Sequence, residues 1–348
     1  MMKINFYGNT NGVTGYATHS RELVKALKKQ GVEMYSEDDI NSPCLAITLP
    51  DYWRVRSGNR HTPFIPFLVF EGDKLPNSWV AACNEDYISE ILVPSKYVKG
   101  IAETSGVKKM ITVAPHGIDP TIFKVNGEKH NNVGGDKFKF FMLGGWGQGA
   151  IDRKGFQYGI KAFSEEFSKD DNVEMYIKIN MTYNPNLNIK EEFDKLDLPD
   201  DRPAIHILMQ ELPYEELPQL YRSMDCFVAP SMAEAFNIPA LESMACGVPV
   251  ISTNYGGMTD YVNERNGWLI DVEKMIPSPG VPTHIYENTN WAVPSVTHLR
   301  KIMRGVYQNR DICTKKGTLA AKKALEYTWD NTAKVVTERF KKYEVLKE

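Results

Sequence analysis

The chain has 348 residues, 42% hydrophobic and 24% charged, which is too long for one ordinary core and too apolar for disorder. Two domains of about 100 to 200 residues each are expected. Forty-one basic against 44 acidic residues leave a formal charge of -3, which supplies no overall field for a polyanion such as duplex DNA. The longest apolar run, FIPFLVF from Phe64 to Phe70, falls far short of the roughly 20 residues of a spanning helix. The opening MMKINFYG has no signal-peptide core, so a cytoplasmic location is expected.

In chain order, Lys3 to Tyr7 reads as a buried strand. It enters the glycine loop GNTNGVTG and then a helix from Tyr16 to Gln30, with Leu23 and Leu27 at i,i+4 and Gly31 as its stop. Strand-like runs follow at Leu45 to Leu49, Phe64 to Phe70, Ile91 to Pro94 and Ile111 to Pro115, with Ser95 as the cap of a helix starting at Lys96. Asp119 to Asp136, with its NGEKHNNVGGD tract, is too polar to pack as an element and is read as the domain linker.

Alternation then restarts. Strands are predicted at Phe138 to Leu143, Val173 to Ile179, Ile205 to Met209, Cys226 to Ala229 and Val248 to Ser252. Helices are predicted at Phe156 to Phe167, Ile189 to Leu196, Tyr214 to Arg222 and Pro239 to Cys246. Such alternation makes two doubly wound parallel-sheet halves, whose ligands bind beyond the carboxyl ends of the strands. The proline-rich stretch Ile276 to Pro294 reads as an insertion or surface connection, and the charged last helix, Thr332 to Lys347, as an outer one.

Five scattered cysteines never stand two residues apart, and seven histidines form no HExxH or closely spaced set, so no metal site is expected. Gly8, Gly12 and Gly15 let the backbone approach a ligand, and the helix beyond them offers N–H groups to an anion. Their spacing is not G-x-G-x-x-G, although Glu37 to Asp39 lie where a ribose-binding acid belongs; NAD binding and a ligand-free turn both stay open. No P-loop motif is present. Arg21, Lys25, Lys28 and Lys29 on the first helix fit a solvated face, with contact to a membrane surface or phosphates as the alternative.

The densest segment is SMDCFVAPSMAEAFNIPALESMACGVPVISTNYGG, which holds Glu234 and Glu242 eight positions apart. Glu166 and Glu174 share that spacing but sit at a helix end and a strand start, as solvated charges would. Glu234 instead follows an apolar strand. With Pro239 in the first helical position, Glu242 falls on the opening turn, and both carboxylates are expected to face one crevice. A carboxylate has two acceptor oxygens that suit neighbouring hydroxyls of a ribose or hexose, which points to a sugar nucleotide.

This segment resembles the signature of retaining glycosyltransferases of family 4, the glycosyl transferases group 1. VPSKYVKG, APHGIDPTIF, ELPQLYRSMDCFVAPS, ALESMACGVPVIST, NERNGWLI and YTWDNTAKVV are also similar to family patterns, in the family's order. The resemblance implies a GT-B fold, α/β, of two Rossmann-like domains facing a cleft: an acceptor domain over 1–120, joined by the helix 332–348, and a nucleotide-sugar domain over 136–330.

It further implies that Glu242 holds the ribose diol and Glu234 the hydroxyls of the transferred sugar, with Phe236, Asn237 and Ile238 lining that pocket through main-chain N–H groups. Lys154 matches the family lysine that faces the leaving diphosphate, and Arg153 is the best match for its companion arginine, in a GGWGQGAIDRKG loop that departs from the usual pattern. An exposed basic pair is the alternative, and Trp146 fits either a site wall or packing. Ala235 and Asn237 replace frequent glycines, which would narrow the donor pocket. His116 resembles a hinge-side element, equally explained by packing. Glu71 stands near where others carry a histidine and is a candidate for the acceptor hydroxyl, while Glu71-Gly72-Asp73 would suit a metal only on another fold. The implied reaction is metal-free transfer with retention from a UDP- or GDP-hexose to a glycan, lipid-linked, protein or modified nucleic-acid acceptor. A nucleotide-sugar epimerase is the alternative.

Overall fold

Parallel pairing organises nearly every strand of the computed structural model, which describes residues 2–37, 39, 41–56, 62–147, 152–279 and 284–345. The first half runs β1 (Lys3–Gly8), α1 (Gly15–Lys29), β2 (Glu33–Tyr35), β3 (Cys44–Ile47), β4 (Phe64–Pro66), α2 (Asn77–Asn84), β5 (Ile91–Val93), α3 (Lys96–Ser105) and β6 (Ile111–Val113). Its sheet order is β2-β1-β3-β4, and a parallel bridge from Phe67 to Leu92 continues it into the β5-β6 pair.

The second half contains β7 (Phe138–Gly144), α4 (Phe156–Glu166), β8 (Val173–Ile179), α5 (Ile189–Asp194), β9 (Ile205–Leu208), α6 (Leu217–Arg222), β10 (Cys226–Ala229), α7 (Ile238–Ala245), β11 (Val250–Thr253) and β12 (Gly267–Ile270). An antiparallel pair, β13 (Val272–Pro277) and β14 (Asn290–Pro294), precedes α8 (Val296–Gln308), α9 (Arg310–Ala324) and α10 (Trp329–Val345). The sheet order β12-β11-β10-β7-β8-β9 reverses direction of winding between β7 and β10, and at such a switch point the loops diverge and leave a crevice. Strands such as β8, VEMYIKI, are buried along their whole length because helices cover both faces of a parallel sheet.

Local chemistry explains the edges. Thr14 caps α1 by accepting from the Ala17 N–H at 3.2 Å, and Ser95 caps α3 through the Val98 N–H, also at 3.2 Å. The residues of 119–136 pack more than a linker would: Phe123 is buried against Tyr214 and Tyr221, and Arg222 holds the Lys124 and Glu128 carbonyls. Glu166 and Glu174 are not solvated charges. Arg300 and Arg304 pair with Glu166, and Glu174 is buried beside Lys139, Tyr176 and His206.

Two further expectations change. The last helix is charged outside but buries Trp329, Ala333, Val336 and Phe340, and its Arg339 meets Glu90 of the first half. Ile276 to Pro294 is no mere surface connection, because its described residues belong to the β13–β14 arm and the cleft wall. On α1, Lys25 pairs with Asp119 at 3.5 Å and Lys29 with Asp330 at 2.6 Å, so these charges are met within the chain. Among the described residues no helix is long and apolar enough to cross a membrane.

Candidate functional site

The carboxyl ends of β7 and β10 meet at the switch point, and the residues that follow them are charged. After β7 the chain passes Gly144 to Gly147 and reaches Asp152, Arg153 and Lys154; residues 148–151 of the GGWGQGAIDRKG loop lie outside the described residues. Gly155 takes a φ of +75° to open α4, and a Cβ there would stand 2.0 Å from the Pro230 carbonyl oxygen, so only glycine lets this loop lie against the exit of β10. The Met232 N–H donates to the Arg153 carbonyl at 2.8 Å, which fixes the two loops to each other.

Lys154 Nζ thereby lies 2.6 Å from Glu234 Oε1, while Arg153 Nη1 lies 3.1 Å from Glu234 Oε2 and Arg153 Nη2 3.4 Å from Glu71 Oε1. Burial alone would raise the Glu234 pKa, but Lys154 and Arg153 outweigh it and hold the carboxyl below its ordinary value. Arg153 is pushed above its ordinary value, since Glu71 and Glu234 together overcome its desolvation. The group is therefore an ionised, buried cluster that draws one carboxylate from each half of the molecule.

Asn237, with φ +72°, caps α7 by accepting from the Ala240 N–H and donates to Glu234 Oε1, both at 3.3 Å. The helix starts one residue earlier than expected, at Ile238, so Glu242 is its fifth residue rather than part of the opening turn. A Cβ on Gly257 would stand 2.0 Å from the Ala235 carbonyl oxygen, which is why the segment after β11 closes on this loop with NYGG. Ser95 adds a second use of its hydroxyl, donating to the Ala235 carbonyl at 2.7 Å across the halves.

A cavity of about 550 Å³ lies over the cluster, bordered by Glu71, Arg153, Lys154, Glu234 and the residues Phe236, Asn237 and Ile238. A second chamber of about 150 Å³ adjoins it past Gly15, Ile238 and Pro239, and Glu242 borders that one with Lys178, Arg21 and Tyr214. The two chambers share Val13, Gly15, Leu143, Asn180, Ile238 and Pro239 as lining. Each glutamate faces its own compartment of this connected cleft, because the start of α7 stands between them. Glu242 is buried and accepts from the Tyr221 hydroxyl at 2.9 Å; burial pushes its pKa up to about 7, only partly offset by Tyr221 and Tyr214.

Gly15 borders both chambers, whereas Gly12 borders neither and turns the chain at φ +96°, its carbonyl held by Arg21. His116 borders the larger cavity but packs 4.2 Å from the His19 ring and 5.2 Å from Phe236, and burial lowers its pKa to about 3. Trp146 stacks on Phe156 at 5.0 Å and belongs to the core. Asp73 cannot form an acid pair for a metal, since its oxygens already receive Thr289 Oγ1 and the Asn290 main-chain and side-chain N–H groups. Asp39, the ribose-acid candidate of the NAD reading, is held by Ser42 and the Asn41 N–H.

Sequence reasoning missed Asp152, Asn180, Tyr286 and Trp291. Asp152 accepts from the Gly147 N–H at 2.7 Å, and burial raises its pKa to about 6. Asn180, just after β8, reaches the Val13 carbonyl at 3.0 Å and ties the glycine loop to the second half. Its place after a strand that neighbours the switch point was the available signal.

The chain is similar to known proteins in sequence and in fold. A family profile described as glycosyl transferases group 1 matches residues 150–276, which include Lys154, Glu234 and Glu242. The D-inositol 3-phosphate glycosyltransferase of Paenarthrobacter aurescens (strain TC1) is 27% identical over 242 residues, 66% of this chain and 51% of that protein. The chain spans about half the length of the curated relatives it matches first. Among solved structures, sucrose-phosphate synthase (tll1590) from Thermosynechococcus elongatus superposes with a TM-score of 0.74 at 14% identity, over 99% of this chain and 100% of that one. Anabaena Alr3699/HepE in complex with UDP and glucose gives 0.67 at 14% identity, over 98% and 100%. Likeness at this level concerns the fold, which is GT-B.

Proposed function

Because residues 150–276 match the glycosyl transferases group 1 and the chain takes a GT-B fold, we propose that it is a member of that group and moves a sugar from a nucleotide-diphosphate donor to a hydroxyl acceptor. The observation that carries this reading is the cluster at the switch point, where Lys154 and Arg153 meet Glu234 beside the start of α7. Departure of a nucleoside diphosphate develops negative charge, and preorganised cations together with helix N–H groups stabilise it without reorganisation. In the free protein Glu234 and Glu71 neutralise those cations, and the diphosphate takes over part of that role when the donor is bound.

In this reading the nucleoside occupies the chamber of Glu242, the carboxylate receiving the ribose hydroxyls, and the transferred sugar lies in the larger cavity against Glu234 and the main-chain N–H groups of Phe236, Asn237 and Ile238. Glu71 contacts the acceptor hydroxyl. The acceptor attacks from the face the diphosphate leaves, the leaving oxygen takes its proton, and the anomeric configuration is retained, as the resemblance to family 4 implies. Lys154 and Arg153 perform the electrostatic work, so we assign no metal. Gly15, bordering both chambers, lets the backbone pass near the donor, and His116 supports the Phe236 wall. The UDP and glucose bound by Alr3699/HepE, a protein of like fold, favour a UDP-sugar among the donors.

A thermal-shift panel of UDP, GDP, ADP and their sugars tests the reading. The matching nucleotide raises Tm by mass action. Silence across the panel contradicts it, and a new sugar formed from donor without acceptor would indicate an epimerase instead.

A further inference from the structure

The β13–β14 arm belongs to the second half of the chain but is fastened to the first. Asp73 receives Thr289 Oγ1 at 3.1 Å and the Asn290 N–H at 2.7 Å, and Thr289 Oγ1 in turn accepts from the Asp73 and Lys74 N–H groups. Gly72 leaves the room for this contact, since a Cβ there would stand 2.3 Å from Thr289 Oγ1.

Fastened in this way, the arm completes a run of four aromatic rings, three of which border the larger cavity. Trp79 and Phe70 stand 5.5 Å apart, Phe70 and Tyr286 6.2 Å, and Tyr286 and Trp291 5.3 Å between centroids. Trp79, Tyr286 and Trp291 border the cavity, with Leu49, Val69 and Ile285 between them. Glu71, next to Phe70 in sequence, closes the run at the charged cluster, with its Oε2 3.5 Å from the Tyr286 hydroxyl. The Trp291 indole N–H is buried and has no hydrogen-bond partner among the described residues.

We propose that this wall is the acceptor subsite, and that it takes a neutral pyranose ring, with Trp291 and Tyr286 as its specificity-determining residues and Asp73 as the positioning residue that holds the arm. The inference rests on the transferase reading above. The C–H faces of a pyranose match aromatic faces and edges, while one ring hydroxyl reaches Glu71 and another oxygen can receive the Trp291 N–H. A phosphorylated polyol fits poorly. The wall residues carry no cation, and the cations bordering the cavity, Arg153 and Lys154, are already matched by Glu71 and Glu234.

Saturation-transfer NMR on the full chain loaded with the nucleotide found by thermal shift tests this without needing turnover. Methyl α-glucoside, methyl α-mannoside and inositol 3-phosphate serve as probes on wild type, Trp291→Ala, Trp291→Phe and Asp73→Ala. A neutral hexoside should receive saturation in wild type, lose at least about fivefold in Trp291→Ala and Asp73→Ala, and lose less in Trp291→Phe, which keeps a ring. The nucleotide signal should stay unchanged in all four, which also reports that each is folded. Where transfer is measurable, the same variants should raise the hexoside KM about tenfold. Saturation of inositol 3-phosphate but not of the hexosides, or hexoside binding indifferent to all three changes, overturns the inference while nucleotide binding stands. Absence of nucleotide binding defeats the transferase reading itself.

Discussion

Replacing Lys154 by alanine separates the two things its ammonium does. In the free protein it sits 2.6 Å from Glu234 Oε1, with side-chain exposures of 19% and 5%. Breaking a buried pair from one side costs about 3 to 5 kcal/mol, because the remaining charge is left in low dielectric. Arg153, 3.1 Å from the other oxygen, remains to share the charge, which places the expected loss near the lower end, about 3 kcal/mol. Restoring charge balance with Lys154→Ala/Glu234→Gln should recover most of that stability. Turnover should behave differently. A lost preorganised donor to a developing anion costs about 10² to 10³ in kcat, and the double variant cannot recover it, since the cation that meets the diphosphate is still absent. Denaturant melts and steady-state kinetics on wild type and the two variants decide the matter. Full activity in Lys154→Ala, or recovery of kcat along with stability in the double variant, would refute the assignment.

Glu242 gives a pH dependence. Its folded pKa of about 7 lies above the ordinary 4.5, so the stability it contributes is present below about pH 4.5 and lost as pH rises to about 7, while the ionised form that receives a ribose diol gains over the same interval. Nucleotide affinity should therefore fall as pH drops through 7, and Glu242→Gln should bind weakly with a flat profile; a sloped profile in that variant would exclude Glu242 as the titrating group. Asn237→Gly keeps the positive φ and loses the cap and the bond to Glu234, for about 1 kcal/mol, whereas Asn237→Ala adds left-handed strain of about 1 kcal/mol or more, so urea melts should rank Gly above Ala. Turnover should persist in excess EDTA, and its loss with recovery on adding manganese would contradict the metal-free step.

The alternation of apolar runs made 138–252 legible to within about three residues at each boundary, because strands such as Val173–Ile179 and Cys226–Ala229 are buried on both faces, whereas β12, α8 and α9 were not read. The first half was harder to read. β2 is a three-residue edge strand, and β4 stops at Pro66, beyond which a single bridge from Phe67 to Leu92 carries the sheet on; neither leaves a periodic trace. Lys154, Arg153 and Glu234 could be placed in one site since each follows a strand end at the switch point. The separation of Glu242 from Glu234 could not, since it depends on α7 starting at Ile238 with Asn237 in a left-handed cap. Nor could the arm: Tyr286 and Trp291 come to the cleft through Asp73, more than 200 positions away, by hydrogen bonds that a linear pattern does not encode.

Paired titrations of the cognate nucleoside diphosphate and its sugar conjugate against wild type and Lys154→Ala probe the phosphate assignment most directly. The free diphosphate carries the charge of the leaving group in full, so its affinity should drop by about tenfold or more, with a smaller change for the intact donor, and Glu242→Ala should weaken both alike. Equal binding of the free diphosphate by wild type and Lys154→Ala would contradict the account.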